Sequence, residues 1–281
     1  MSDSASRSND DAKAQAPEAT LEALERRLQR AMMTTVVEND LIGEGDKILV
    51  AVSGGKDSYT LLELLARARA KAPIRFDLLA FHLDQAQPGY DGRPLRAWLE
   101  ASGIPFVIHR EDTYSIVMDK VEGTSKSYCG PCSRLRRGIL YTHAERLGCN
   151  KLALGHHRDD ALETLLMNLF FGGKLQAMPA RYRTQDERFD VIRPLIECDQ
   201  SDILAYSKLR AFPILPCNLC GSQEGLQRAR MRRLLLDLES DNPTLRSTML
   251  AALKNVRPTH LLDREVAEAW LEAANRFAPR Q

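Results

Sequence analysis

Long apolar runs are missing from this sequence: no uninterrupted stretch approaches the roughly 18 residues that a membrane span requires. The opening segment MSDSASRSNDDAKAQAPEAT lacks the apolar centre of a secretory leader. Both absences argue against membrane insertion and export, and predict a soluble cytoplasmic protein. Net charge is nearly absent too, with 39 Lys and Arg against 38 Asp and Glu, so the total neither favours nor disfavours a polyanionic partner. What matters is where the basic residues cluster. No internal repeat is visible. What is present is ordinary globular material, 44% hydrophobic and 27% charged over 281 residues. That length suits one large α/β domain with an appendage, or two modest domains.

Residues 1–18 are too polar to repay ordering and are expected to form a disordered tail. From Leu21, apolar residues recur through Leu24, Leu28, Met32 and Val36, which predicts an N-terminal helix. KILVAV then reads as a buried strand, followed by strand-like runs at FDLLAFHL, IPFVIH, KLALG and VIRPLI. Helical segments are expected around Thr60–Ala70, Arg93–Ser102, Ser133–Leu147 and Ala161–Phe171. The alternation predicts an α/β fold with a doubly wound, mostly parallel sheet over residues 19–200. Residues 201–281 show no strand pattern and read as a small helical C-terminal region.

The sharpest motif follows the first strand, in ILVAVSGGKDSYTLLELL. Two glycines permit a tight loop, whose N–H groups, helix dipole and hydroxyls (Ser53, Ser58) suit an anion, with Lys56 adding a positive charge. The plain alternative is a Gly-Gly turn with a Ser/Asp helix cap. The motif is neither GxxxxGK[ST] nor GxGxxG. SGGKDS resembles the PP-loop of the N-type ATP pyrophosphatases, which cleave ATP between the α and β phosphates. That resemblance implies the adenine nucleotide alpha hydrolase-like fold, with Ser53, Gly54, Gly55, Lys56, Asp57 and Ser58 cradling the leaving pyrophosphate. It also implies a nucleotide near Asp84, at the end of the second strand. LALGHHRDDALETLLMNLFFGG is similar to the family's histidine and paired-aspartate motif, so His156 and His157 would border the ATP site, and Asp159 and Asp160 would orient Mg²⁺. Lys56, Asp57 and Asp160 are the expected catalytic groups. Against this, Asp160 and Glu163 also fit the D-x-x-E pattern of a helix start.

Six cysteines include two CxxC pairs, Cys129/Cys132 and Cys217/Cys220. Spacing alone suits a structural Cys₄ zinc site, an iron–sulfur cluster or a redox dithiol. The single Cys149 and Cys198 sit in apolar surroundings and are expected in the core. The combination of PP-loop, CGPCSRLRR, GHHRDDALETLLMNLFFGGK and PCNLCGSQ, in that order, resembles the tRNA 2-thiocytidine biosynthesis proteins over about residues 20–260. The resemblance implies a [4Fe–4S] cluster held by Cys129, Cys132 and Cys220, with one iron open to an exogenous ligand. Cys217 stays open, as a fourth ligand, a spare thiol or a small buried residue.

The resemblance further implies adenylation of the C2 oxygen of cytidine 32 of tRNA, pyrophosphate release, and sulfur transfer from a donor such as a cysteine desulfurase. It implies a homodimer, for which the N-terminal helix is a candidate interface. Basic residues gather at Lys126, Arg134, Arg136 and Arg137, at Lys174, Arg181 and Arg183, and at Arg228, Arg230, Arg232 and Arg233. Each cluster reads either as a solvated helix face or as a tRNA contact. The rival functions are a PP-loop 2-thiouridine thiolase, a lysidine synthetase, a zinc-stabilised RNA-binding module and a thiol oxidoreductase.

Overall fold

The run DKILVA forms β1 (Asp46–Ala51), with Ile48, Leu49 and Val50 all fully buried, as expected of a strand covered on both faces. In the computed structural model, which describes residues 20–121, 129–184, 186–215 and 223–276, this strand lies inside a six-stranded sheet. The tail expected at residues 1–18 falls outside the described residues. The other strands are β2 (Phe76–Asp84), β3 (Phe106–Arg110), β4 (Lys151–Ala153), β5 (Arg181–Arg183) and β6 (Asp190–Ile192). Their order is β3-β2-β1-β4-β6-β5, all parallel except the antiparallel β5–β6 pair. Leu49 of β1 is in register with Leu79 of β2 and Leu152 of β4. The doubly wound, mostly parallel sheet expected from the sequence is the one found.

Alternation along β1 separates two layers. Ile48 and Val50 pack with α1 (Leu21–Glu38), α2 (Lys56–Lys71) and α3 (Arg93–Ser102), through Leu24, Leu28, Leu62 and Leu99. Leu49 faces the opposite layer, where Leu140 and Ala144 of α5 (Cys129–Arg146) meet Phe81 and Val191. The Thr20 hydroxyl caps α1 by accepting from the Ala23 N–H at 3.2 Å. The α1 stripe expected from the spacing is buried within the chain.

Helix α7 (Gln200–Leu209) joins the first layer through Ile203 and Tyr206, so the packing runs unbroken across residue 200. The later helices dock instead on α6 (Arg158–Phe171): Leu162 and Leu166 pack with Met231 and Leu235 of α8 (Gln223–Asp241) and with Leu245, the first residue of α9 (Leu245–Lys254). The sequence reading missed α4 (Thr113–Val121) and the edge strand β5. RYR carries no apolar alternation, and its two arginines are drawn in by Asp190, with Arg181 Nη2 at 2.7 Å and Arg183 Nη1 at 3.3 Å.

One ion pair ties α9 to α6. Arg246 and Asp159, with side chains 7% and 5% exposed, are joined Nη1 to Oδ1, and Arg246 Nε also reaches Glu239 at 2.9 Å. Removing one partner of a buried pair leaves the other charge without compensation. Arg246→Leu is therefore expected to lower stability by about 3 kcal/mol in urea unfolding. The double variant Arg246→Leu/Asp159→Leu should recover a large part of that loss; a double loss equal to the sum of the two single losses would show the pair to be uncoupled.

Candidate functional site

Strand order reverses between β1 and β4, and the loops leaving these two strands meet there, where ligands of open α/β sheets bind. The first loop runs from Val52 to Gly55. Gly54 has φ +85°, and a Cβ there would stand 2.7 Å from Leu215 Cδ1, so the position needs glycine on both counts. Ser58 braces the loop from inside: its hydroxyl accepts from Ser53 N at 3.1 Å and donates to the Gly55 carbonyl at 2.9 Å. Lys56 Nζ sits 2.6 Å from Asp57 Oδ1.

The second loop, from Leu154 to His157, presses against the first. A Cβ on Gly155 would lie 3.1 Å from the Asp57 carbonyl carbon and oxygen, so a side chain would push the loops apart. His157, 3% exposed, caps α6: its Nδ1 accepts from Asp160 N at 3.4 Å, and its own N–H donates to Asp160 Oδ2 at 3.1 Å. The opposite ring nitrogen lies 3.6 Å from Asp57 Oδ1 and 3.4 Å from Asp160 Oδ2. One imidazole thus spans the acidic groups of both loops. The reciprocal cap is His157 with Asp160, rather than the Asp160/Glu163 pair that the spacing suggested.

Cavities flank the first loop on either side. Towards β4, about 520 Å³ is enclosed by Ser53, Asp57, Ser58, His156 and Asp160, with Tyr182, Arg193 and Arg228 beyond. Towards β2, about 190 Å³ is lined by Ser53, Gly55, His82, Gln85 and Tyr90. Arg136 of α5 borders both cavities. His82 is locked between the Val52 carbonyl at 2.7 Å and the Tyr90 hydroxyl at 2.6 Å, and burial lowers its pKa. His156 accepts from Arg193 Nε at 3.2 Å. Burial, and then the Arg193 charge, bring its pKa down to about 4, so this ring is neutral at pH 7.

Some expected site residues point elsewhere. Asp159 is engaged by Arg246 and by the Gln200 N–H at 3.1 Å, outside the cavity that Asp160 lines. Asp84 Oδ1 accepts from Ala86 N at 2.9 Å, and the residue lines neither cavity. Its neighbour Gln85 does, and the Gln85 Oε1 takes a hydrogen bond from Cys132 Sγ at 3.3 Å. Of the α8 arginines, Arg228 reaches Asp160 at 3.0 Å and Arg232 reaches Glu163 at 2.9 Å, while Arg230 and Arg233 are exposed. Lys174 is exposed in the segment after α6.

Cys129 is the first residue of α5 and Cys132 lies one turn on. The side chain of Cys129, together with Cys217, Cys220 and Lys126, falls outside the described residues. Both neighbours of that second pair are nonetheless fixed at the site: Leu215 N donates to the Gly54 carbonyl at 2.9 Å, and α8 delivers Arg228 to Asp160. Among the described residues, no three His, Cys, Asp or Glu side chains gather as metal ligands. Cys149 and Cys198 are buried in the core, where desolvation raises both thiol pKa values, that of Cys198 to about 12.

Arg193, Tyr182 and Gln85 were not singled out from the sequence. A signal existed for Arg193, a lone charge within the apolar run VIRPLI. Nothing local marks the other two.

Paired glycine-containing loops at the switch point, lacking a Walker sequence, define a nucleotide-binding α/β protein of the PP-loop class, and the PP-loop domain model matches residues 21–238. The chain is 50% identical over 244 residues to the tRNA-cytidine(32) 2-sulfurtransferase of Aeromonas salmonicida, covering 86% of this chain and 80% of that protein. It is 52% identical over 240 residues to the enzyme of that name from Sorangium cellulosum, covering 85% and 84% of the two chains. For the Coxiella burnetii protein the identity is 47% over 243 residues, covering 86% and 94%. The chain belongs to the tRNA-cytidine(32) 2-sulfurtransferase family. Among solved structures it is similar in fold to the U34-tRNA thiolase NcsA from Methanococcus maripaludis, solved with its [4Fe–4S] cluster. The TM-score is 0.67 at 22% identity, covering 85% of this chain and 81% of that one.

The neutral His156 has a measurable consequence. The unfolded chain takes up a proton near pH 6.5, which the folded imidazole refuses until about pH 4. Stability is therefore lost as pH falls through that window, by about 3 kcal/mol in all. His156→Gln should remove this loss, so that urea unfolding of the variant falls less between pH 7 and pH 4 than that of the wild type. Parallel pH profiles would show that His156 titrates normally.

Proposed function

We propose that this chain is an ATP-dependent tRNA thiolase that converts the cytidine at position 32 to 2-thiocytidine. The observation that carries the reading is the meeting of two elements across one cavity. Ser53, Asp57 and Ser58 of the phosphate loop face Ser133, Arg136 and Arg137, which follow the first CxxC on α5. A nucleotide-cleaving loop and a thiol-bearing helix thus share a wall.

In the first step the cytidine O2 attacks the α-phosphorus of ATP, and the bond to the β-phosphate oxygen breaks. Loop N–H groups, the N-terminal end of α2 and Lys56 would take up the charge of the departing pyrophosphate. Asp57 and Asp160, bridged by His157, are the carboxylates available to a Mg²⁺ ion, which would neutralise phosphate oxygens. Asp159 is left out of that set, because it is buried against Arg246 outside the cavity that Asp57 and Asp160 line. In the second step sulfur attacks C2 and AMP departs, taking the original oxygen. The urea-like oxygen of cytosine is a poor leaving group, and each factor of ten gained by activating it removes about 1.4 kcal/mol of barrier.

The cysteines suit an iron–sulfur cluster. Cys129 and Cys132 share one face of the first turn of α5, where the helix dipole favours thiolates. With Cys220 they would supply three ligands, and a cluster held by those three alone would offer an open iron for exogenous sulfur; Cys217 is a candidate fourth ligand, which would close that site. Gln85 fixes Cys132 relative to β2, and Leu215 anchors the approach to the second pair. For tRNA, Arg134 faces away from the loop, into a cavity of about 800 Å³ with Lys120 and Arg146. Arg230, Arg233 and Lys174 are exposed and available to RNA phosphates, and Arg136 and Arg137 line the inner cavity where the base would react. The reading brings with it a cytoplasmic location, a homodimer and a cysteine desulfurase as sulfur donor. No helix among the described residues is long and apolar enough to cross a membrane.

The test is anaerobic reconstitution with iron and sulfide, followed by ATP, sulfide and tRNA, reading pyrophosphate release and nucleoside composition by mass spectrometry. Lys56→Ala is expected to slow pyrophosphate release at least about 100-fold. Cys132→Ser should keep tRNA-dependent pyrophosphate release but lose 2-thiocytidine. Undiminished thiolation by Cys132→Ser would sink the cluster assignment, and 2-thiouridine as the product would replace the substrate.

A further inference from the structure

Arg193 is 8% exposed, yet its guanidinium pairs with no carboxylate among the described residues. Its hydrogen-bond partners are neutral: Nε donates to His156 Nδ1 at 3.2 Å and Nη1 to the Pro179 carbonyl at 2.8 Å. The Tyr182 ring lies against it, 5.1 Å from centroid to Cζ, and the Tyr182 hydroxyl is itself tied to that of Tyr141 at 2.9 Å. Other charged neighbours in the same cavity include Arg136, Arg137 and Arg228. A buried charge without a counter-ion is costly unless a ligand supplies electron density. Elsewhere in this chain the buried arginine, Arg246, is paired with Asp159 and Glu239.

That ligand has a definable character. The wall near Arg193 is Tyr182, Met178, Leu154 and Leu140, which suits a flat ring. The polar end of the cavity, at Ser53, Asp57, Ser58 and Asp160, is where a triphosphate would lie. A guanidinium has five N–H donors and no acceptor, and here His156, the Pro179 carbonyl and Tyr182 hold it in place while further donors remain. Beside C2, cytosine presents an acceptor at N3, whereas uracil presents an N–H donor. A donor-only group accepts the first and repels the second.

We propose that Arg193 is the specificity-determining residue for the acceptor base, donating to N3 of cytosine and thereby rejecting uracil. This inference rests on the thiolase reading above. It leaves O2 free to attack the α-phosphorus, and it gives the remaining guanidinium donors an acceptor where no carboxylate among the described residues supplies one.

The experiment compares tRNA transcripts carrying cytidine or uridine at position 32, reading tRNA-dependent pyrophosphate release, with ATP affinity measured separately without tRNA. The wild type is expected to prefer cytidine by about 10- to 100-fold, the range of one good base contact. Arg193→Gln presents an amide that can donate or accept, so its preference should collapse towards unity with ATP affinity unchanged. Arg193→Lys, which keeps a donor, should retain part of the preference. A large loss of ATP affinity in Arg193→Gln would mark the residue as a phosphate clamp and overturn the inference, as would an unaltered preference.

Binding of the wild type to a stem-loop with 3-deazacytidine at position 32 needs no variant to fold. It should weaken by about the same factor as uridine does; undiminished binding would overturn the inference. Absence of release by the wild type on both transcripts would instead overturn the thiolase reading itself, and this inference with it.

Discussion

Gly155 meets the backbone of Asp57 so closely that a Cβ there would stand 3.1 Å from it and could be taken in only if the two segments gave way. This contact sets the distance between the two loops of the switch point, and the cavity beside it inherits its shape from that distance. On one side Gly54 turns through a left-handed conformation under Leu215. On the other, the His157 cap fixes the start of α6 and carries Asp160 to within reach of the same imidazole that touches Asp57. The parallel sheet beneath makes the contact possible, because β1 and β4 are hydrogen-bonded neighbours.

Charge in the molecule falls into two populations. Asp159 with Arg246, Glu163 with Arg232, and Lys151 with Asp46 are buried or half-buried pairs that fasten helices or strands together. Within the cavity the balance shifts to the positive, since Arg193 has no acidic partner among the described residues and Arg136 and Arg137 line it from α5. Self-cancelling pairs hold the scaffold, and the uncancelled charge marks where an electron-rich ligand belongs.

Helix α5 divides the molecule at this end. Its inner face gives Ser133, Arg136 and Arg137 to the phosphate-loop cavity, and its outer face gives Arg134, Thr142 and Arg146 to a second, larger one. With a CxxC pair in its first turn, the same helix connects thiol chemistry, nucleotide chemistry and a basic exterior. An RNA whose backbone lies along the outer face could place a splayed base on the inner one.

The strand–loop–helix of SGGKDS and the parallel character of the sheet were legible, because each depends on residues adjacent in the chain, whereas the helix expected from Ser133 begins at Cys129 and takes CGPC into its first turn. Apolar periodicity and the conformational freedom of glycine act locally, so the sequence by itself determined the phosphate loop, its strand and most helices. Folding decided which charged groups face a ligand and which face each other. Asp159 and Asp160 are neighbours of identical chemistry, yet one is claimed by Arg246 across 87 positions and the other faces the loop. Arg193 meets His156 across 37 positions, and the run VIRPLI gives no hint of that meeting. The physical reason is range: backbone conformation follows from near neighbours, whereas the fate of a buried charge depends on partners that only the packed sheet brings together.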